Sequence, residues 1–243
     1  MRRDRLGLAA RVAANVGALL PLGVLLFVVA ADRLSANPIE DVTRRLGTDA
    51  LLMLTLSLAV TPAVALITRT NPYVGRLSRV TPRGEAAVPT PDRSPAPGPS
   101  RRVAAAIWPL RRTFGLFAFL YAALHLFVFT VVDYGSRPSL LADAVAKKPY
   151  ALAGLTTFIL LIPLAVTSTA TWQRRLGRAW ERLHMLVYPA AGLVVLHFLW
   201  AAKVVTTNRL IWAASLAGLL LVRLPLWLLA ARSAGWRQRR REN

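Results

Sequence analysis

Charged residues divide the chain into long apolar blocks. Residues 12–31, 50–68, 113–132, 149–173 and 183–202 contain no Asp, Glu, Lys or Arg, and 210–231 contains only Arg223. Each block is close to the ~20 helical residues needed to cross a bilayer core. None sustains the two-residue alternation of a half-buried strand. Inside lipid, only helices and closed barrels satisfy their own backbone. The pattern therefore predicts an all-α, polytopic membrane protein, a six-transmembrane-helix bundle forming one domain over 1–243.

The charges between the blocks give the orientation. With the N-terminus inside, segments 1–11, 69–112, 174–182 and 232–243 carry 22 of the 31 Lys and Arg residues. The outside segments carry eight, and Arg223 lies within a block. This asymmetry follows the positive-inside rule. It predicts an inner-membrane protein with both termini cytoplasmic. The net charge of +20 is then an orientation signal with some attraction for anionic membrane lipid, and nucleic acid is not expected as a partner. Arg223 is expected to snorkel toward the cytoplasmic face.

Two segments stand apart from this plan. Six prolines (Pro82, Pro89, Pro91, Pro95, Pro97 and Pro99) fall within 81–102. Such a stretch resists helix and buries little, so 81–102 is expected to be a Pro-rich disordered cytoplasmic loop acting as a plain linker. The first block follows Arg2, Arg3 and Arg5 and ends in Ala30-Ala31, somewhat like a secretory signal. Its apolar length exceeds the usual signal core, and a retained helix is expected.

The chemistry of the chain is restricted. There is no cysteine, which removes disulfides, thiolate metal sites and covalent haem attachment. The three histidines, His125, His184 and His197, all lie within the apolar blocks. A polar side chain at membrane depth is costly and usually has a partner or a task. His125 falls in the outer half of the third block and His197 near the outer end of the fifth. His184 sits at the inner end, about 20 Å from His197 at ~1.5 Å per residue. Two neutral imidazoles on facing helices are what a six-coordinate b-type haem needs, so His125 and His197 are the candidate axial iron ligands. Lys203 and Arg209 are candidate partners for its propionates. A spacing of 13 residues leaves His184 and His197 on faces ~140° apart. Pro189 lies between them and can change the winding; alternatively, the two serve different cofactors.

At these positions the chain resembles the MsrQ (YedZ) family of the ferric-reductase-like transmembrane group. The densest likeness runs through Thr167-Ser168-Thr169, Gln173, Leu176-Gly177, Trp180, Leu183-His184, Val187-Tyr188, His197, Leu199-Trp200 and Lys203. A second block contains Arg111-Arg112, Gly115-Leu116, Leu124-His125-Leu126 and Gly135. The resemblance implies a bundle of that group, haem b on His125, His184 and His197, and FMN as a further cofactor. In oxidase relatives a fourth histidine stands near the position of Arg111. An arginine cannot ligate iron, so a second, inner haem on His184 lacks an obvious partner, and His184 is expected to hold it through a weaker ligand or to border the flavin. Arg111 or Arg112 then pairs with a phosphate or propionate, or simply anchors the inner face.

The role implied by the resemblance is electron relay. Electrons pass from a quinol or a cytosolic flavin reductase to a periplasmic molybdopterin-containing methionine-sulfoxide reductase catalytic subunit, which repairs oxidised envelope proteins. No catalytic residue is expected in this chain. A Gly-rich dinucleotide fingerprint is absent, so direct oxidation of a nicotinamide is not expected. The rival readings are a self-contained membrane ferric reductase and a non-redox transporter or scaffold with structural histidines.

Overall fold

A computed structural model describes residues 2–69, 98–202, 204 and 206–223. In chain order these form α1 (Arg2–Ala30), α2 (Pro38–Thr68), α3 (Pro99–Ile107), α4 (Leu110–Phe127), α5 (Pro138–Lys147), α6 (Pro149–Val166), α7 (Ala170–Leu176), α8 (Arg178–His184) and α9 (Val187–Trp200). A final helix, α10, covers 207–223. Val128–Asp133 continues α4 as a π-helical turn. The fold is an all-α membrane bundle with no strand among the described residues. Among the described residues, five helical stretches are long and apolar enough to cross a bilayer, and α10 accounts for the described part of the sixth block. Residues 81–97, Lys203 and everything after 223 lie outside the described residues.

Charge marks the bilayer better than it marks helix ends. α2 begins at Pro38, well before its apolar block, because Pro occupies the first turn and Asn37 Oδ1 accepts a bond from Glu40 N–H at 3.3 Å. Pro99, Pro138 and Pro149 likewise occupy the first turn of α3, α5 and α6, there without a side-chain cap. The boundary expected for the Pro-rich loop is therefore corrected, since 99–102 already lie in α3. The fourth block also holds two helices. α6 stops at Val166, where Thr167 and Ser168 turn their hydroxyls back onto the Pro163 and Leu164 carbonyls at 2.6 and 2.7 Å. Thr169 then caps α7 by accepting from Trp172 N–H. Gly177, at φ +50°, turns the chain from α7 into α8 in a conformation that suits glycine.

α2 packs extensively along α4, and α6 along α9. The main core includes Leu51, Leu54 and Leu58 of α2, Ala118 and Tyr121 of α4 and Ala191 of α9, joined by Ala18 of α1 and Leu216 of α10, while Leu161 and Leu164 of α6 pack with Ala190 of α9 in a second cluster. The buried Tyr121 hydroxyl donates to Ala18 O at 2.6 Å and accepts from Leu22 N–H at 3.2 Å. It thus enters the α1 hydrogen-bond ladder beside Pro21, where the backbone already lacks one donor. The outward faces stay apolar: Leu8, Val16, Leu20 and Phe27 of α1 are all exposed, as lipid contact requires.

Arg223 departs from expectation. It does not snorkel. Its side chain is fully buried and donates from Nη2 to Thr61 Oγ1 on α2. Nε and Nη1 have no hydrogen-bond partner among the described residues.

Candidate functional site

Two of the three histidines meet. His125, in the last turn of α4, and His197, in the last turn of α9, have ring centroids 6.0 Å apart and planes at 82°. Each ring is fixed by a carbonyl from another helix. His125 Nδ1 donates to Thr43 O of α2 at 2.8 Å, and His197 Nδ1 donates to Tyr150 O of α6 at 2.7 Å. These bonds select the tautomer with hydrogen on Nδ1, leaving Nε2 as the lone-pair nitrogen of both rings. Interhelical hydrogen bonds within membranes are worth about 0.6 kcal/mol on average, so their main effect here is orientation.

Both rings line a cavity of about 480 Å³ lying between the α2–α4 and α6–α9 pairs. Leu51, Leu54, Ala118, Phe158, Leu161 and Val194 make much of its wall apolar. Leu141 and Val145, one turn apart on α5, also line it. Arg44 and Arg209 bring positive charge to it, and Glu40 and Asp133 bring negative charge. Arg209 Nη1 donates to Phe198 O at 3.1 Å while its guanidinium lies over the Phe198 ring. Nearby, Lys148 Nζ donates to the Tyr134 hydroxyl at 2.9 Å, which raises the lysine pKa above its ordinary value and keeps the amine cationic.

The geometry suits a single metal between two imidazoles. Metal–imidazole bonds of about 2 Å on each side, plus the ring radii, put the centroids roughly 6 Å apart. Among the described residues, no group of three or more His, Asp or Glu side chains gathers to hold a metal.

The chain matches the family described as ferric reductase like transmembrane component over residues 95–195. It is also similar to proteins named protein-methionine-sulfoxide reductase heme-binding subunit MsrQ. The one from Xanthomonas axonopodis pv. citri is 33% identical over 219 residues, covering 88% of this chain and 84% of the relative. That from Ralstonia nicotianae is 36% identical over 217 residues, covering 87% and 83%. That from Herminiimonas arsenicoxydans is 34% identical over 233 residues, covering 94% and 86%. The chain belongs to the MsrQ family. No solved structure matches it.

The third histidine of this MsrQ-family chain lies elsewhere. His184 ends α8, stacks on Trp180 with centroids 3.9 Å apart, and donates from Nδ1 to Trp180 O at 3.1 Å. It does not line the cavity of the other two. Arg111 lies within electrostatic reach of its ring. The helix breaks between His184 and His197, and the two rings lie in different surroundings. Pro189 has no N–H to give Met185 O, which instead accepts from Tyr188 N–H at 3.0 Å. Met185 and Leu186 likewise bond three residues back rather than four, and α9 starts afresh at Val187.

Sequence reasoning missed Thr43 and Tyr150, whose contribution is a backbone carbonyl and therefore carries no side-chain signal. It counted Arg44 only as a flanking charge. The π-helical turn that follows His125 and contributes Phe129, Thr130 and Asp133 to the cavity was also invisible in the periodicity.

Proposed function

We propose that this chain is a membrane b-type cytochrome that relays electrons to a methionine-sulfoxide reductase catalytic subunit. The observation that carries the reading is the His125–His197 pair, 6.0 Å apart with each Nδ1 on a carbonyl and a largely apolar cavity around them. That donor set fits a b-type haem. Both ligands are neutral nitrogens, no cysteine attachment is needed, and the volume lies within the ~300–1,000 Å³ of cofactor sites. The names of the relatives, which call them heme-binding subunits of protein-methionine-sulfoxide reductase, support the same reading.

In this assignment, Nε2 of His125 and of His197 would hold the haem iron. Haem would supply reversible one-electron transfer there. The remaining work belongs to the protein. Thr43 O and Tyr150 O hold the ligand tautomers. Arg209 and Arg44 offset the propionate charge, with Lys203 as a further cation. Leu141 and Val145 help keep water from the cavity. His184, beside Trp180 and Arg111, is assigned to the inner entry side, where FMN or a second haem would lie. The donor is a membrane quinol or a cytosolic flavin reductase, and the acceptor is a periplasmic molybdopterin-containing subunit. The charge asymmetry favours the inner membrane with both termini cytoplasmic, which puts the His125–His197 end on the periplasmic side. The whole chain acts as one domain, with the Pro-rich segment as a linker.

The deciding experiment is cofactor analysis of purified protein, with haem and flavin counted per chain and reduced-minus-oxidised spectra recorded. A low-spin b-type spectrum that disappears in His125→Ala and His197→Ala is expected. A colourless protein, or an unchanged spectrum in either variant, overturns the assignment.

A further inference from the structure

The two imidazoles are seated in the same way on unrelated helices. Thr43, whose carbonyl accepts from His125, stands four residues before Gly47. Tyr150, whose carbonyl accepts from His197, stands four residues before Gly154. In an α-helix such a carbonyl also faces the N–H four residues on, here that of the glycine itself. To share that oxygen, the ring must lie directly against the glycine Cα. A Cβ on Gly47 would fall 3.1 Å from Nδ1 and 3.2 Å from Cε1 of His125. One on Gly154 would fall 2.7 Å from Nδ1 and 2.8 Å from Cε1 of His197.

Other glycines show how selective this is. A Cβ on Gly115 would approach only Ser57 Oγ, at 3.4 Å, and one on Gly17, Gly192 or Gly218 would meet nothing within 4 Å. Among the described residues, the two glycines with the least room both lie opposite a histidine of the pair. General helix packing would spread tight glycines along the interfaces. Here they coincide with the cavity.

We infer that Gly47 and Gly154 are positioning residues for the ligand pair. By withholding a side chain, each lets an imidazole reach its carbonyl, and so each sets the position of Nε2 in the cavity. The inference rests on the bis-imidazole reading above. The imidazole is rigid, so pressure at its Nδ1 edge is passed to Nε2 rather than absorbed along the side chain. The two sites are also unequal. The 2.7 Å approach at Gly154 requires His197 to move, whereas the 3.1 Å approach at Gly47 requires a few tenths of an ångström from His125.

The test compares Gly154→Ala, Gly47→Ala and Gly192→Ala, read by haem per inserted chain, optical spin state, carbon monoxide binding and the low-spin paramagnetic resonance of the ferric protein. Gly192→Ala is expected to match the parent in every readout. Gly47→Ala is expected to stay six-coordinate with shifted g values, because the angle between the ring planes changes. Gly154→Ala is expected to lose most of the low-spin signal, to bind carbon monoxide as the parent does not, and to regain low-spin character when free imidazole is added. A purely structural role for the glycine predicts no such rescue. Parent-like spectra and no carbon monoxide binding in Gly154→Ala overturn the inference. If that variant fails to insert, Gly47→Ala decides, and unchanged g values overturn it. His197→Ala separates the two levels, because a low-spin spectrum surviving that change removes the ligand assignment itself.

Discussion

At one end of the bundle, two imidazoles take their Nδ1 partners from neighbouring helices. At the other, His184 bonds to the Trp180 carbonyl one turn back on its own helix, lies flat on the Trp180 ring, and also interacts with the Leu164 carbonyl of α6. The difference separates two kinds of buried histidine. A ring fixed by a foreign carbonyl is held across an interface, so Nε2 is free to face a cavity between helices. The His184 ring is instead ordered mainly by Trp180, through that residue's carbonyl and its indole face. The same contrast extends to charge. Arg44 and Arg209 border an open cavity, whereas Arg223 is buried against Thr61 with two donors unmatched among the described residues.

The sharpest way to break this comparison is to remove a ring from each end. His125→Ala or His197→Ala should eliminate nearly all of the low-spin b-type spectrum, whereas His184→Ala should keep it. Equal spectral losses from all three would erase the distinction. The next effect is structural. Thr61→Val strips Arg223 of its hydrogen-bond partner and should lower stability by about 1–3 kcal/mol, because a buried donor is left unpaired. Replacing Arg223 itself by Met should cost less than Thr61→Val, since an apolar side chain of similar size needs no partner. Thermal unfolding in detergent measures both, and the reverse order would mean that the arginine is satisfied by other groups.

A smaller effect is expected for His184→Ala, about 0.5–1.5 kcal/mol of stability from the lost stack on Trp180. The same unfolding assay detects it, and His184→Phe should recover part of the loss if stacking is the cause. Asn37→Ala tests the entry to α2, whose next turns carry Thr43 and Gly47. Loss of the cap should cost about 1 kcal/mol with no change in haem content. The smallest effect is expected for deletion of 81–97, which should leave haem per chain at the parent value.

The sequence alone determined the membrane class and the helical architecture, and it pointed to His125 and His197 as the two histidines that meet. Each rests on a local quantity: the length of an uncharged run, or the depth and cost of a polar group in lipid. Charge patterning also identified His197 as the residue near one end of its block and His184 as the residue near the other. It placed helix ends poorly, as at Pro38 and Val166, because proline, hydroxyl and glycine chemistry ends helices independently of the bilayer. It misjudged Arg223 because burial depends on what stands opposite, in that case Thr61, 162 residues away in sequence. The tertiary structure alone decided that Thr43 and Tyr150 present carbonyls to the rings and that Gly47 and Gly154 leave room for them. It also decided that the helix breaks before Val187, between His184 and His197. Those features depend on backbone atoms meeting across helices. A backbone carbonyl is chemically the same at every residue, so only the packing selects which ones act.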